Sequence, residues 1–114
     1  MFSNCTSLTT APMLPATTLY SCCYIEMFRN CTSLTKAPDL PAAKLQSKSY
    51  YQMFYGCTSL RSIKCLATNI SASDCTTDWL SGVSATGTFT KASSMTGWTE
   101  GASGIPTGWT VANE

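Results

Sequence analysis

Histidine is absent from this 114-residue chain. The commonest general base near neutral pH, which is also the commonest metal ligand, is therefore missing. Charge is scarce: Asp, Glu, Lys and Arg make up 11% of the residues, and the formal net charge is +1. A nucleic-acid partner calls for a clustered excess of Lys and Arg, so none is expected. No apolar run reaches the roughly 20 residues of a membrane span, so membrane insertion is not expected either. The acids Glu26, Asp39, Asp74, Asp78, Glu100 and Glu114 share no spacing that marks a catalytic pair. With no C-x-x-C motif and no His, zinc is not expected. These absences argue against an enzyme, and no cofactor is called for.

What is present is a repeat. "MFSNCTSLTTAP" opens at Met1, "MFRNCTSLTKAP" at Met27 and "MFYGCTSLRSIK" at Met53, a period of 26 residues. A fixed period of this length points to units stacked on one another, so that residues at one repeat position form a column. Phe2, Phe28 and Phe54 fall in register, as do Cys5, Cys31 and Cys57, and Leu8, Leu34 and Leu60. These are the candidate core columns. Leu14, Leu40 and Leu66 extend the pattern. The positions that change between units are expected to face water, and Thr9, Lys36, Asp39, Arg61 and Lys64 form the candidate binding face.

"CTSLTTAPMLP" reads as a short extended segment bounded by Pro. Tyr50, Phe54 and Cys57 lie at i, i+4 and i+7, as do Tyr24, Phe28 and Cys31, a spacing that predicts a helical turn or two in each unit. The expected fold is thus a leucine-rich-repeat solenoid of about three 26-residue coils, each a short strand plus a short helix, with a C-terminal β cap. The repeats would occupy residues 1–78, as 1–26, 27–52 and 53–78, and the cap residues 79–114. All three Trp residues, Trp79, Trp98 and Trp109, lie in that tail. They read as a plug for the end of the core, with an aromatic platform for a sugar as the alternative. The cysteines number seven, so at least one thiol is unpaired in a monomer. The Cys5, Cys31 and Cys57 column reads as a reduced structural ladder, because free Cys is a good small core residue. The sequons at Asn4 and Asn30 recur with the repeat and read as turn chemistry.

"FSNCTSLTTAPMLP" and "FRNCTSLTKAPDLP" resemble the BspA-like, Treponema-type leucine-rich repeats of bacterial surface proteins, and "FYGCTSLRSIKCLA" does so with Ala67 in place of Pro. The tail resembles the C-terminal region that follows such repeats in Bacteroides-type proteins. The resemblance implies adhesion or protein binding at a cell surface or in secreted form, with a host or bacterial surface protein or a glycan as partner. Some relatives are phage-encoded, so a structural stacking module of a larger surface assembly or a phage virion is the alternative. The first unit has no preceding helical turn to cover it. Self-association through that uncapped N-terminal coil, with Met1 and Phe2 among the contacts, is expected.

Overall fold

Inter-segment hydrogen bonds on one side of this protein obey a simple rule, which shows in the computed structural model over residues 2–14 and 17–114. From Tyr20 to Cys31, alternate backbone N–H groups bond within the segment and between segments. Cys23, Met27 and Cys31 donate to carbonyls three residues back, at Tyr20, Tyr24 and Phe28. Cys22, Tyr24, Glu26, Phe28 and Asn30 instead donate across to Ser47, Ser49, Tyr51, Met53 and Tyr55. The chain is therefore a run of β-turns. Cys22, Glu26 and Asn30, the third residue of the Tyr20, Tyr24 and Phe28 turns, have φ of 61°, 52° and 61°, the backbone of a type II turn. The next segment repeats the pattern, with positive φ at Lys48, Gln52 and Gly56.

This arrangement overturns the strand-plus-helix reading. No α-helix occurs among the described residues, and the regular strands are three four-residue pieces in a single sheet. An α-helix would use every N–H within its own segment, whereas here half of them leave it. The i, i+4, i+7 spacing of Tyr24, Phe28 and Cys31 comes from a turn that recurs every four residues, and a four-residue turn repeat mimics helical periodicity. The leucine-rich-repeat solenoid is accordingly replaced by a small strand-and-turn fold.

The sheet lies on the other side. β1 (Ser62–Cys65), β2 (Thr88–Lys91) and β3 (Thr110–Asn113) pair in parallel in the order β1-β2-β3. Isolated parallel bridges prolong the ladder to earlier segments, from Ser62 to Lys36 and from Lys36 to Thr10. The pairing runs without a break from the repeated part of the sequence into the tail, because Ser62 pairs with Thr88 and Thr88 with Thr110. The register slips once. Leu40 pairs with Cys65 rather than with Leu66, and Lys44 with Asn69. Cys65 is correspondingly buried, whereas Leu66 is half-buried.

Between turns and ladder lies the core. Phe28, Phe54, Cys31, Cys57, Leu34 and Leu60 are fully buried. Phe2 and Leu8, in the first segment, are only half-buried, and Cys5 is exposed. The rings of Phe2, Phe28 and Phe54 stack with centroids 5.5 Å apart. A second stack runs through Tyr24, Tyr50, Trp79 and Trp98. The recurring Cys has a polar use: the Cys31 and Cys57 thiols each donate to a carbonyl, of Phe2 and Phe28, at 2.9 Å. All seven thiols are free. Burial pushes the Cys57 and Cys65 thiols up to about 12 and also raises those of Cys31 and Cys75. Met1 and the first Leu-Pro corner, at Pro15 and Ala16, lie outside the described residues.

Candidate binding face

Side chains alternate along a strand, so a ladder that buries one set displays the other. Ala37, Ile63 and Phe89 point into the core and are buried. The neighbouring positions, Thr10, Lys36, Ser62, Thr88 and Thr110, are in register with one another across the ladder. Thr10, Lys36, Thr88 and Thr110 are exposed, and Ser62 is half-buried. Adjacent strands lie about 4.8 Å apart, so this is a closely spaced row of four hydroxyls and one ammonium. Each hydroxyl can donate and accept, whereas Lys36 can only donate.

The five residues singled out from the sequence do not form one site. Thr9, Lys36 and Asp39 are exposed and line a shared groove of about 580 Å³ together with Thr10, Met13 and Pro41. The groove places a cation and a carboxylate on one apolar floor, where Ala37 and Pro38 are buried. Arg61 and Lys64 lie outside that lining. Arg61 is exposed, and its backbone continues the ladder by donating to Thr35 and accepting from Thr88. Lys64 is tied down: its Nζ lies 3.0 Å from the Glu114 carboxylate. A half-exposed pair of this kind contributes about 0–1 kcal/mol, but it neutralises the charge that Lys64 would offer a partner.

Sequence reasoning missed Thr10, Ser62, Thr88 and Thr110. Thr10 and Ser62 could have been found by stepping one period either side of Lys36. Thr88 lies one further period beyond Ser62, but Thr110 could not have been found this way, because the spacing falls from 26 residues to 22 between Thr88 and Thr110. The ladder outlasts the sequence repeat.

Of the tail Trp residues, Trp79 and Trp109 are buried in the core, whereas Trp98 is half-buried and its indole N–H has no partner among the described residues. Trp79 is fully buried, and its indole N–H donates to the Gly104 carbonyl at 3.0 Å. That of Trp109 donates to the Ser84 carbonyl at 2.8 Å. No group of three or more Cys, Asp or Glu side chains is placed to hold a metal among the described residues. No helix among them is long and apolar enough to cross a membrane. No protein-family model matches the chain, and neither the curated proteins nor the solved structures yielded a match.

Proposed function

We propose that this chain is a non-catalytic binding or adhesion module of a bacterial surface protein, exposed at the cell surface or secreted. It recognises a protein or glycan through the outward row of the parallel ladder and the groove beside it. The observation that carries this reading is the register of Thr10, Lys36, Ser62, Thr88 and Thr110, which sets hydroxyls and one cation in a flat line. Such a line suits a partner with many weak polar groups at regular spacing, as sugars and extended peptides have. Lys36 and Asp39 in the adjoining groove add one charge of each sign. The resemblance of residues 1–70 to BspA-like repeats supports the same reading, as does the absence of histidine.

A structural role, as a stacking unit of a larger surface assembly or phage particle, is the second reading. It is favoured by the exposed Met13 and Tyr20 of the first segment, at 85% and 74% exposure.

The test is surface plasmon resonance of the full chain against immobilised bacterial polysaccharides, host glycans and extracellular-matrix proteins. At least one should bind, and Lys36→Glu combined with Arg61→Glu should weaken it at least tenfold. An unchanged affinity in the double variant would remove the ladder face from the account.

A further inference from the structure

Four of the seven Lys and Arg side chains are engaged within the fold. Arg29 lies over the Tyr55 ring and Lys48 over the Tyr51 ring, 5.0 Å and 5.5 Å from the centroids. Lys64 pairs with Glu114, and the Lys91 ammonium donates to the Met95 carbonyl at 2.7 Å. Lys36, Lys44 and Arg61 are exposed, and among the described residues none of them has an ion-pair or ring partner.

Lys36 and Arg61 are neighbours on the ladder. Lys36 pairs with Ser62, and the Arg61 N–H donates to the Thr35 carbonyl at 3.0 Å. The two cations thus stand one residue out of register on segments about 4.8 Å apart. On its other flank Arg61 lies beside Gly87, one residue before the Ser62 and Thr88 pair, so no side chain stands next to it there. Hydroxyls surround both cations: Thr35 and Thr88 are exposed and Ser62 is half-buried. Asp39 lines the groove beside Lys36 but makes no ion pair with it. Each of these segments is paired on both sides, to Thr10 and Ser62, to Lys36 and Thr88, or to Ser62 and Thr110. The patch is therefore framed from within the fold.

We propose that this patch binds an anionic group, carboxylate or sulfate, carried by a polysaccharide. The proposal rests on the ladder as recognition face and names the class of its ligand. Charge selects the anion: the Arg61 guanidinium offers a planar fork for two oxygens, and Lys36 adds a point charge beside it. The hydroxyls select the carrier, because each can donate to and accept from a sugar hydroxyl. A peptide would take its affinity from a free strand edge, and here the edge is used. The carbonyls of Thr35, Arg61 and Ser62 already accept from Arg61, Thr88 and Ala37. Thr35, Lys36, Arg61, Ser62 and Thr88 include no ring on which a nucleobase could stack.

Isothermal titration calorimetry of the full chain under reducing conditions, with dextran, dextran sulfate, polygalacturonate and polyglutamate, tests this. At least one charged polysaccharide should bind, and the tighter identifies sulfate or carboxylate as the anion. Dextran should bind at least tenfold more weakly. Raising NaCl from about 0.1 M to about 1 M shortens the Debye length from about 10 Å to about 3 Å and should weaken binding at least tenfold. Arg61→Gln should do the same, and Arg61→Lys, which keeps the charge but loses the fork, should recover only part. Lys44→Gln removes an equal charge at a separate bridge, to Asn69, and should change nothing. Equal losses in Arg61→Gln and Lys44→Gln would reduce the attraction to net charge and overturn the site. Tightest binding to polyglutamate would give the patch to an acidic peptide and overturn it as well. Equal affinity for dextran and dextran sulfate, or no charged polysaccharide bound while the surface-plasmon panel yields a partner, would overturn the ligand class alone. Failure of every polymer and of the whole panel would overturn the recognition face with it.

Discussion

The rings of Phe28 and Phe54 lie 5.5 Å apart with 2° between their planes, although 26 residues separate them in the chain. Parallel rings at constant spacing require neighbouring segments to follow the same path. The turn hydrogen bonds impose that path, since Phe28 donates to Met53 and Asn30 to Tyr55 on either side of the ring pair. The same register that buries the rings brings Lys36 beside Thr10 and Ser62 on the outer ladder. Core and outer ladder row are two readings of one repeat.

Leu34 and Thr35 are neighbours with opposite fates, the first fully buried and the second exposed. Leu34→Ala should cost about 2–5 kcal/mol, a large share of the stability of a small domain. Thr35→Ala should change it by less than about 0.5 kcal/mol. Urea titration of both variants measures the difference, and equal midpoints would refute the register.

The inner rows were legible because equal spacing in sequence becomes equal height in the fold. Phe2, Phe28 and Phe54 could be aligned by eye, and they stack. The helix was not there to be found. Tyr24, Phe28 and Cys31 satisfy helical spacing, and nothing in side-chain periodicity distinguishes a helix from a turn repeated every four residues. The distinguishing signal lay in the residues between them. Asn4, Asn30, Gly56 and Gly82 occupy successive repeat positions and all have positive φ. Asn and Gly are residue types that tolerate this backbone, and their recurrence disfavours a helix interior. The candidate face is legible only in part, since the repeat places Lys64 on it but gives no sign of its pairing with the distant Glu114.

Gly56 tests the turn geometry. Its φ is 75°, and a Cβ at this position would collide with the Asn30 side-chain oxygen. Gly56→Ala should cost at least the 1–2 kcal/mol of a left-handed alanine, whereas Asn30→Gly, which keeps the backbone permissive, should cost less. Chemical denaturation of the two variants would read the ranking, and a neutral Gly56→Ala would exclude the turn assigned here.

Trp79 stacks on Tyr50 of the earlier segments and donates one buried hydrogen bond to Gly104 further along the tail. Trp79→Phe keeps an aromatic ring in the Tyr50 stack but strands the carbonyl. A loss of about 1–3 kcal/mol is expected, measured as a lower thermal midpoint. No change would mean that water or a relaxed loop satisfies Gly104.

The buried thiols make stability depend on alkaline pH. In the unfolded chain a thiol ionises near about 8.5, whereas Cys57 and Cys65 in the fold are pushed up to about 12 by burial. Above about pH 8.5 the unfolded state binds fewer protons than the folded one, so stability falls as pH rises. The limiting slope is about 1.4 kcal/mol per pH unit for each such thiol. Stability present below about pH 8.5 should therefore decline as pH rises towards about 12, and Cys65→Ala should make the decline shallower. Alkylation gives a second readout. Exposed Cys5, Cys22 and Cys23 should react in the native protein, while buried Cys31, Cys57, Cys65 and Cys75 should react only on unfolding.

The outward ladder row as the recognition face is tested most directly by amide chemical-shift mapping of the isotope-labelled chain with the tightest-binding glycan or matrix protein from the surface-plasmon panel. The largest changes are predicted at Thr10, Lys36, Ser62, Thr88 and Thr110, tapering into the groove at Thr9 and Asp39. Changes centred elsewhere on the molecule, with that row unmoved, would contradict the account.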